Sequence, residues 1–123
     1  MKNNLLLQEL CRRLPYYIEV EYCGDNYELL GISHGRCILC KKFSSKVLDI
    51  CPLVEEVKPY LFPLSSMTEE QYDEFTDMGY SVTENWWSMA NYHQIEWLDK
   101  NYFDYKGLIP SGQAIDATGL NIY

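Results

Sequence analysis

The 123-residue chain is 47% apolar and 23% charged, a balance that suits one domain burying its own core and excludes a disordered chain. Its formal charge of −8 belongs to the second half: residues 1–60 hold 8 basic and 8 acidic side chains, residues 61–123 hold 2 and 10. An acidic surface repels phosphate backbones, which disfavours broad nucleic-acid binding, and no run of about 18 apolar residues is present to span a membrane.

Met1 to Gln8 lacks the design of a signal peptide, because Glu9, Arg12 and Arg13 follow a short apolar run at once. The cysteines Cys11, Cys23, Cys37, Cys40 and Cys51 are odd in number. Both features point to reduced thiols and a cytoplasmic location. Asn4 can cap a first helix reaching about Leu14, with Leu6, Leu7, Leu10, Cys11 and Leu14 as its apolar stripe and Pro15 as its stop.

Period two follows. Tyr16 to Cys23 alternates as a half-buried strand, Ile18 and Val20 on one face, Glu19 and Glu21 on the other. Gly24-Asp25-Asn26 is a turn signal, Tyr27 to Ile32 a return strand, Ser33-His34-Gly35-Arg36 a second turn and Cys37 to Phe43 a third strand. Ser44-Ser45-Lys46 turns again before a fourth strand, Val47 to Cys51. Short strands joined by tight turns predict an antiparallel meander of four or five strands, which can curl into a small SH3-like barrel. Pro52, Pro59 and Pro63 punctuate the middle, and Leu53 to Lys58 reads equally as a short helix or an edge strand.

Beyond Pro63 the pattern turns helical. Thr68 with Gln71 forms a capping box, Met67 and Tyr72 are spaced for a hydrophobic staple, and Gly79 suits a left-handed stop. Ser81 with Glu84 offers a second box before an apolar helix from about Thr83 to Tyr102. Gly107, Pro110, Gly112 and Gly119 predict an irregular tail. Without repeats, linkers or low-complexity segments, residues 1–123 form a single α+β domain: a leading helix, the meander, two helices and the tail.

Two blocks carry a resemblance. One is Glu56-Val57-Lys58-Pro59-Tyr60-Leu61-Phe62-Pro63-Leu64-Ser65-Ser66-Met67-Thr68-Glu69-Glu70. The other is Trp97-Leu98 with Phe103-Asp104-Tyr105-Lys106-Gly107-Leu108-Ile109, ending near Gly112 and Ala114. With Leu14-Pro15-Tyr16 they resemble a group of uncharacterised small proteins of gut-bacterial phages and mobile elements. The resemblance covers about half the chain and implies an accessory, cytoplasmic role. It brings no catalytic residue with it.

For metal chemistry the candidates are His34, Cys37 and Cys40, with Cys51 and Cys23 near in sequence. Imidazole and thiolates at this spacing can hold zinc. Against it, residues three apart on a strand point to opposite faces, and free cysteine packs as a small hydrophobe, so packing is the preferred reading. Cys37 and Cys40 make an even poorer redox pair, since no helix follows to lower a thiol pKa.

Nucleophilic catalysis would call on His34, in a turn, or His93, which helical spacing sets beside Met89, Ala90 and Trp97 on an apolar face. No nucleophile elbow, glycine-rich dinucleotide loop or phosphate loop occurs, so no cofactor is implied and a non-catalytic protein is favoured over an enzyme. Nucleic-acid contact would rest on Arg12-Arg13 and on Lys41, Lys42, Phe43 and Lys46, patches too small to offset the charge.

The acidic half suggests the converse. Glu70, Asp73, Glu74 and Asp77 fall on one side of the predicted helix and can imitate DNA phosphates, although a solvated face explains them more simply. Trp86, Trp87, Met89, Tyr92, Ile95, Trp97, Leu98, Tyr102 and Phe103 surround the last helix, which calls for burial by its own sheet, a homodimer or a protein partner. The expected function is a protein-interaction or regulatory module. A DNA-mimicking decoy is the alternative, and a small enzyme comes third.

Overall fold

The structure is a computed structural model that describes residues 4–41, 46–78 and 91–123. Helix α1 spans Asn4–Arg13. Pro15 sits near the start of the 3-10 turn Leu14–Tyr16 that follows, where its missing N–H costs nothing. Leu6 and Leu10 are buried, but Cys11, expected on the same stripe, is exposed. The buried face carries Glu9 and Arg13 in its place.

Strand β1 spans Glu19–Tyr22, β2 Asp25–Ser33 and β3 Arg36–Cys40. Both hairpins are two-residue loops closed by Tyr22↔Asp25 and Ser33↔Arg36. Their central residues all have positive φ: Cys23 (52°) with Gly24 (83°), and His34 (54°) with Gly35 (74°). That geometry matches the right-handed twist of the flanking strands and favours glycine at the second place. The first turn therefore lies one residue earlier than Gly24-Asp25-Asn26 suggests. β1 also starts later than Tyr16, because Tyr17 takes a left-handed conformation that breaks the extended chain. Glu19, expected on a solvated face, is buried.

The expected fourth strand is not a strand. Val47 to Leu53 runs beside β3 through two isolated bridges, Cys40↔Val47 and Arg36↔Leu53. Residues 42–45, which include Lys42 and Phe43, lie outside the described residues. The undecided Leu53–Lys58 stretch resolves into a 3-10 turn, Val54–Glu56, and the entry to strand β4, Lys58–Pro63. β4 pairs antiparallel with β1 through Val20↔Pro59 and Glu21↔Lys58. Backbone groups alternate between edges along a strand. Tyr60 therefore faces β1 and Pro59 faces away, which is how a proline fits here.

A 3-10 turn, Leu64–Ser66, leads to α2, Glu69–Asp77. The expected capping box is present: Gln71 N donates to Thr68 Oγ1 at 3.1 Å and Thr68 N donates to Gln71 Oε1 at 2.9 Å. Gly79, the expected Ser81–Glu84 box and the part of the expected helix up to Ala90 lie outside the described residues. Helix α3, Tyr92–Lys100, has its own cap, which sequence reading missed: Gln94 N donates to Asn91 Oδ1 at 2.9 Å, and Asn91 N donates to Gln94 Oε1 at 3.0 Å. It stops before Tyr102, whose φ of 63° ends any helix.

Two short strands occupy the tail expected to be irregular. β5, Phe103–Asp104, and β6, Ile115–Asp116, both pair parallel with β4. Parallel pairing needs a long crossover, and the segment carrying α2 and α3 supplies it for β5. The sheet order is β3-β2-β1-β4-β5 with β6 also against β4. The fold is thus α+β with a mixed sheet. It is not the purely antiparallel meander that the turns suggested, and among the described residues the sheet does not close into a barrel.

One apolar cluster joins α1 to the sheet through Leu6, Leu10, Ile18, Val20, Leu39 and Leu61. A second gathers Phe75, Trp97, Leu98, Phe103 and Tyr105 between the helices and β5. No helix among the described residues is long and apolar enough to cross a membrane.

Candidate functional site

The metal candidates do not converge. His34 is exposed at a hairpin tip, its Nδ1 3.1 Å from Ser33 Oγ. Cys37 and Cys40 are buried on the same strand, three residues apart, and strand geometry sends their side chains to opposite faces. Burial pushes the Cys37 thiol up to about 12, with Cys51 and Cys11 adding to it, so it stays protonated near neutrality. Cys23 is exposed in the other hairpin loop. Among the described residues no three His, Cys, Asp or Glu side chains are grouped to hold a metal.

His93 is exposed, with its ring edge-on to Tyr92 at 5.8 Å, and not on the apolar face that helical spacing predicted. The buried side of α3 is formed by Gln94, Trp97, Leu98 and Asp99.

Of the Arg12-Arg13 pair, Arg12 is exposed and Arg13 is withdrawn from the surface. Arg13 is fully buried. Its guanidinium donates to Glu9 Oε1 at 2.8 Å, to the Glu9 carbonyl at 3.1 Å and to the Phe103 carbonyl at 2.7 Å, and lies 3.6 Å from Asp99 Oδ1. Arg12 donates to the Tyr105 hydroxyl at 2.6 Å, which donates to Asp99 Oδ1 at 2.8 Å. Buried Arg13, Glu9 and Asp99, with the exposed Arg12 reaching in from the rim, thus tie α1 to α3 and β5. Burial raises the Asp99 pKa, against the lowering pull of Arg13 and the Tyr105 hydroxyl. Lys41, the other basic site, is exposed, 3.7 Å from Asp25 and 4.9 Å over the Tyr27 ring.

Glu70, Asp73, Glu74 and Asp77 of α2 are all exposed. Glu74 differs from the rest, because its Oε1 accepts the Trp97 indole N–H at 2.9 Å. Glu70, Asp73 and Asp77 make no ion pair among the described residues. Of the aromatic residues expected to form a working surface, Trp97 is buried against Phe103, with ring centroids 5.7 Å apart. Tyr92 is 74% exposed. Trp86 and Trp87 lie outside the described residues.

Sequence reading also missed Tyr17. Tyr17 is 69% exposed and holds φ at 60°. A bulky residue rarely adopts that conformation, which glycine or asparagine takes at far lower cost. Its N–H caps the preceding turn on the Leu14 carbonyl. The neighbouring Tyr16 has a raised pKa, through burial and then the proximity of Glu96, Asp99 and Tyr92. Tyr16 is thus within electrostatic reach of Tyr92, and Tyr17 follows Tyr16 in the chain.

The tail forms the second missed feature. The Tyr123 hydroxyl accepts from Glu19 N at 2.9 Å and donates to the Tyr60 carbonyl at 2.9 Å. Glu19 and Tyr60 are where the next β1–β4 rung would fall after Val20↔Pro59. The phenol oxygen stands in for that rung. Its ring stacks on Tyr102 at 3.7 Å, and the Tyr102 hydroxyl donates to the Tyr16 carbonyl. Beside this pair lies a cleft of about 430 Å³, walled by Phe62, Phe103, Lys100 and Gly119. A cleft of about 480 Å³ opens between Leu64 and the Tyr105–Pro110 loop. Neither histidine lines either one.

The Glu9–Arg13 pair escaped the sequence reading, which took Arg13 with Arg12 as a surface basic patch; the i, i+4 spacing beside Leu6 and Leu10 is the signal that could have found it. The strained Tyr17 and the Tyr123 bridge leave no local signal. In comparisons with known proteins, no family model, no curated protein and no solved structure matches the chain.

Proposed function

We propose that this chain is a non-catalytic protein-interaction module of a phage or mobile element, docking through the surface that carries Tyr16, Tyr17 and Tyr92. The carrying observation is Tyr17. A strained backbone at a bulky residue persists where something other than local stability selects it, and here it presents a largely exposed ring. Tyrosine supplies large contact area at small entropy cost and is enriched in protein interfaces. The resemblance of residues 56–70, 97–98 and 103–109 to phage and mobile-element proteins supports the setting.

The test is affinity capture from host cells with the tagged chain, run beside a Tyr17→Ser/Tyr92→Ser variant. A partner retained by the wild type and lost by the variant supports the reading. Equal capture by both overturns it.

The DNA-mimicking decoy stands second, on Glu70, Asp73 and Asp77 of α2, which are exposed and make no ion pair among the described residues. The hydrogen bond from Trp97 to Glu74 interrupts the row and ranks this reading lower. A Glu70→Gln/Asp73→Asn/Asp77→Asn variant separates the two: the decoy loses its partner with these charges, and the tyrosine surface does not.

A further inference from the structure

We propose that the cleft beside the Tyr102–Tyr123 pair binds a small aromatic anion, a flat ring bearing a carboxylate or a phosphate. The site is distinct from the Tyr17–Tyr92 surface and does not depend on the interaction reading. Its volume of about 430 Å³ falls within the range of about 300–1,000 Å³ typical of small-molecule sites. A peptide helix or a nucleic-acid strand is too large for it.

Three features of the walls select the ligand. Four rings, from Phe62, Tyr102, Phe103 and Tyr123, line the cleft, and aromatic rings pair best with other flat π-systems. The two tyrosines are held before any ligand arrives: they stack at 3.7 Å, one hydroxyl is fixed on the Tyr16 carbonyl and the other between Glu19 and Tyr60. A wall fixed in this way loses little freedom on binding.

Charge is the second selector. Lys100 lines the cleft and is exposed, with no ion pair among the described residues. No Asp or Glu is among the described residues that line it, although the chain has 18 acidic and 10 basic side chains. A cation would meet the ammonium group alone, and an anion would meet its counter-charge. The third selector is the polar fringe of Ser66, Asn101 and Thr118, which offers donors and acceptors around the edge of a flat ring.

The test uses the full ¹⁵N-labelled chain and four probes: adenosine monophosphate and indole-3-acetate as anions, adenosine and indole-3-ethanol as their neutral counterparts. The expected result is a saturable shift of the Lys100, Asn101, Thr118 and Gly119 amides with at least one anion. The matching neutral probe, and the same anion on Lys100→Gln, should each bind more weakly by up to about fivefold, the size of one charged contact near a surface. Binding of the nucleotide alone identifies a phosphate ligand, and binding of indole-3-acetate alone a carboxylate. The proposal is overturned if neither anion gives a saturable shift at these amides, if the neutral probes bind equally well, or if Lys100→Gln leaves affinity unchanged. Lys100 is exposed, so the variant keeps the fold, and its remaining amide spectrum verifies this.

Discussion

Replacing Arg13 with methionine keeps the apolar stem of the side chain and removes its charge. Glu9 Oε1 then loses a partner at 2.8 Å, and the Phe103 carbonyl loses one at 2.7 Å. Glu9 and Asp99 remain buried as carboxylates. Some compensation survives, because Glu9 Oε2 stays 3.3 Å from Arg12 and Asp99 keeps the Tyr105 hydroxyl at 2.8 Å. Removing one partner of a buried pair costs about 3–5 kcal/mol. Against a domain stability of about 5–15 kcal/mol, that is a large fraction, and it lowers Tm by about 10–20 °C. Urea unfolding followed by tryptophan fluorescence and circular dichroism measures it. Replacing the triad together (Glu9→Leu/Arg13→Met/Asp99→Leu) should recover much of the loss, since apolar packing often equals a buried ion pair. A loss under about 1 kcal/mol for Arg13→Met would refute the claim that its charge is desolvated and paired, because surface pairs cost no more than that.

Asp99 gives a pH signature. Burial raises its pKa above the ordinary 3.8, so the folded state holds this proton more tightly than the unfolded chain. Its contribution to stability therefore rises as pH falls through the raised value toward 3.8. Relative to Asp99→Asn, the wild type should gain stability as pH falls from about 7 to about 4, read from paired urea midpoints. Tyr123→Phe removes the bridging hydroxyl and its hydrogen bonds with Glu19 N and the Tyr60 carbonyl, and should cost about 1–3 kcal/mol in the same assay. Tyr17→Asn relieves the left-handed strain and should stabilise the fold by up to about 1 kcal/mol, while weakening capture of a partner. Iodoacetamide at mildly alkaline pH followed by mass spectrometry should label Cys11 and Cys23 first. Cys37, with its thiol raised to about 12, should be labelled only after unfolding.

The elements legible in the sequence were those written in local chemistry. The Thr68 box, the Pro15 stop and both hairpins depend on residues a few positions apart, and the structure has each of them. What escaped depends on distant partners. β4 contains Pro59 and Pro63, which read as punctuation. They fit a strand because β1 needs only the backbone groups of alternate residues. β5 and β6 are two residues long and carry no periodicity, so only their parallel neighbour reveals them. Val47 to Cys51 has the composition of a strand, but only Val47 of it makes a bridge to β3. At the candidate site the same division holds. The exposure of Tyr92 and of the α2 acids follows from helix position, whereas the depth of Arg13 and the strain at Tyr17 follow from what the rest of the chain packs against them.

The phenol that replaces a rung between β1 and β4 also divides the sheet by folding distance. The hairpins linking β1, β2 and β3 are closed by loops of two residues, whereas Glu19 meets the Tyr123 hydroxyl across 104 residues of chain. Closing a long loop costs more entropy and slows the contacts that depend on it. The hairpin half can therefore form early and persist, and the half built on β4 waits for the tail. In native-state hydrogen exchange the Glu19 amide should then report the docking of the tail, not the opening of the hairpin in which it lies.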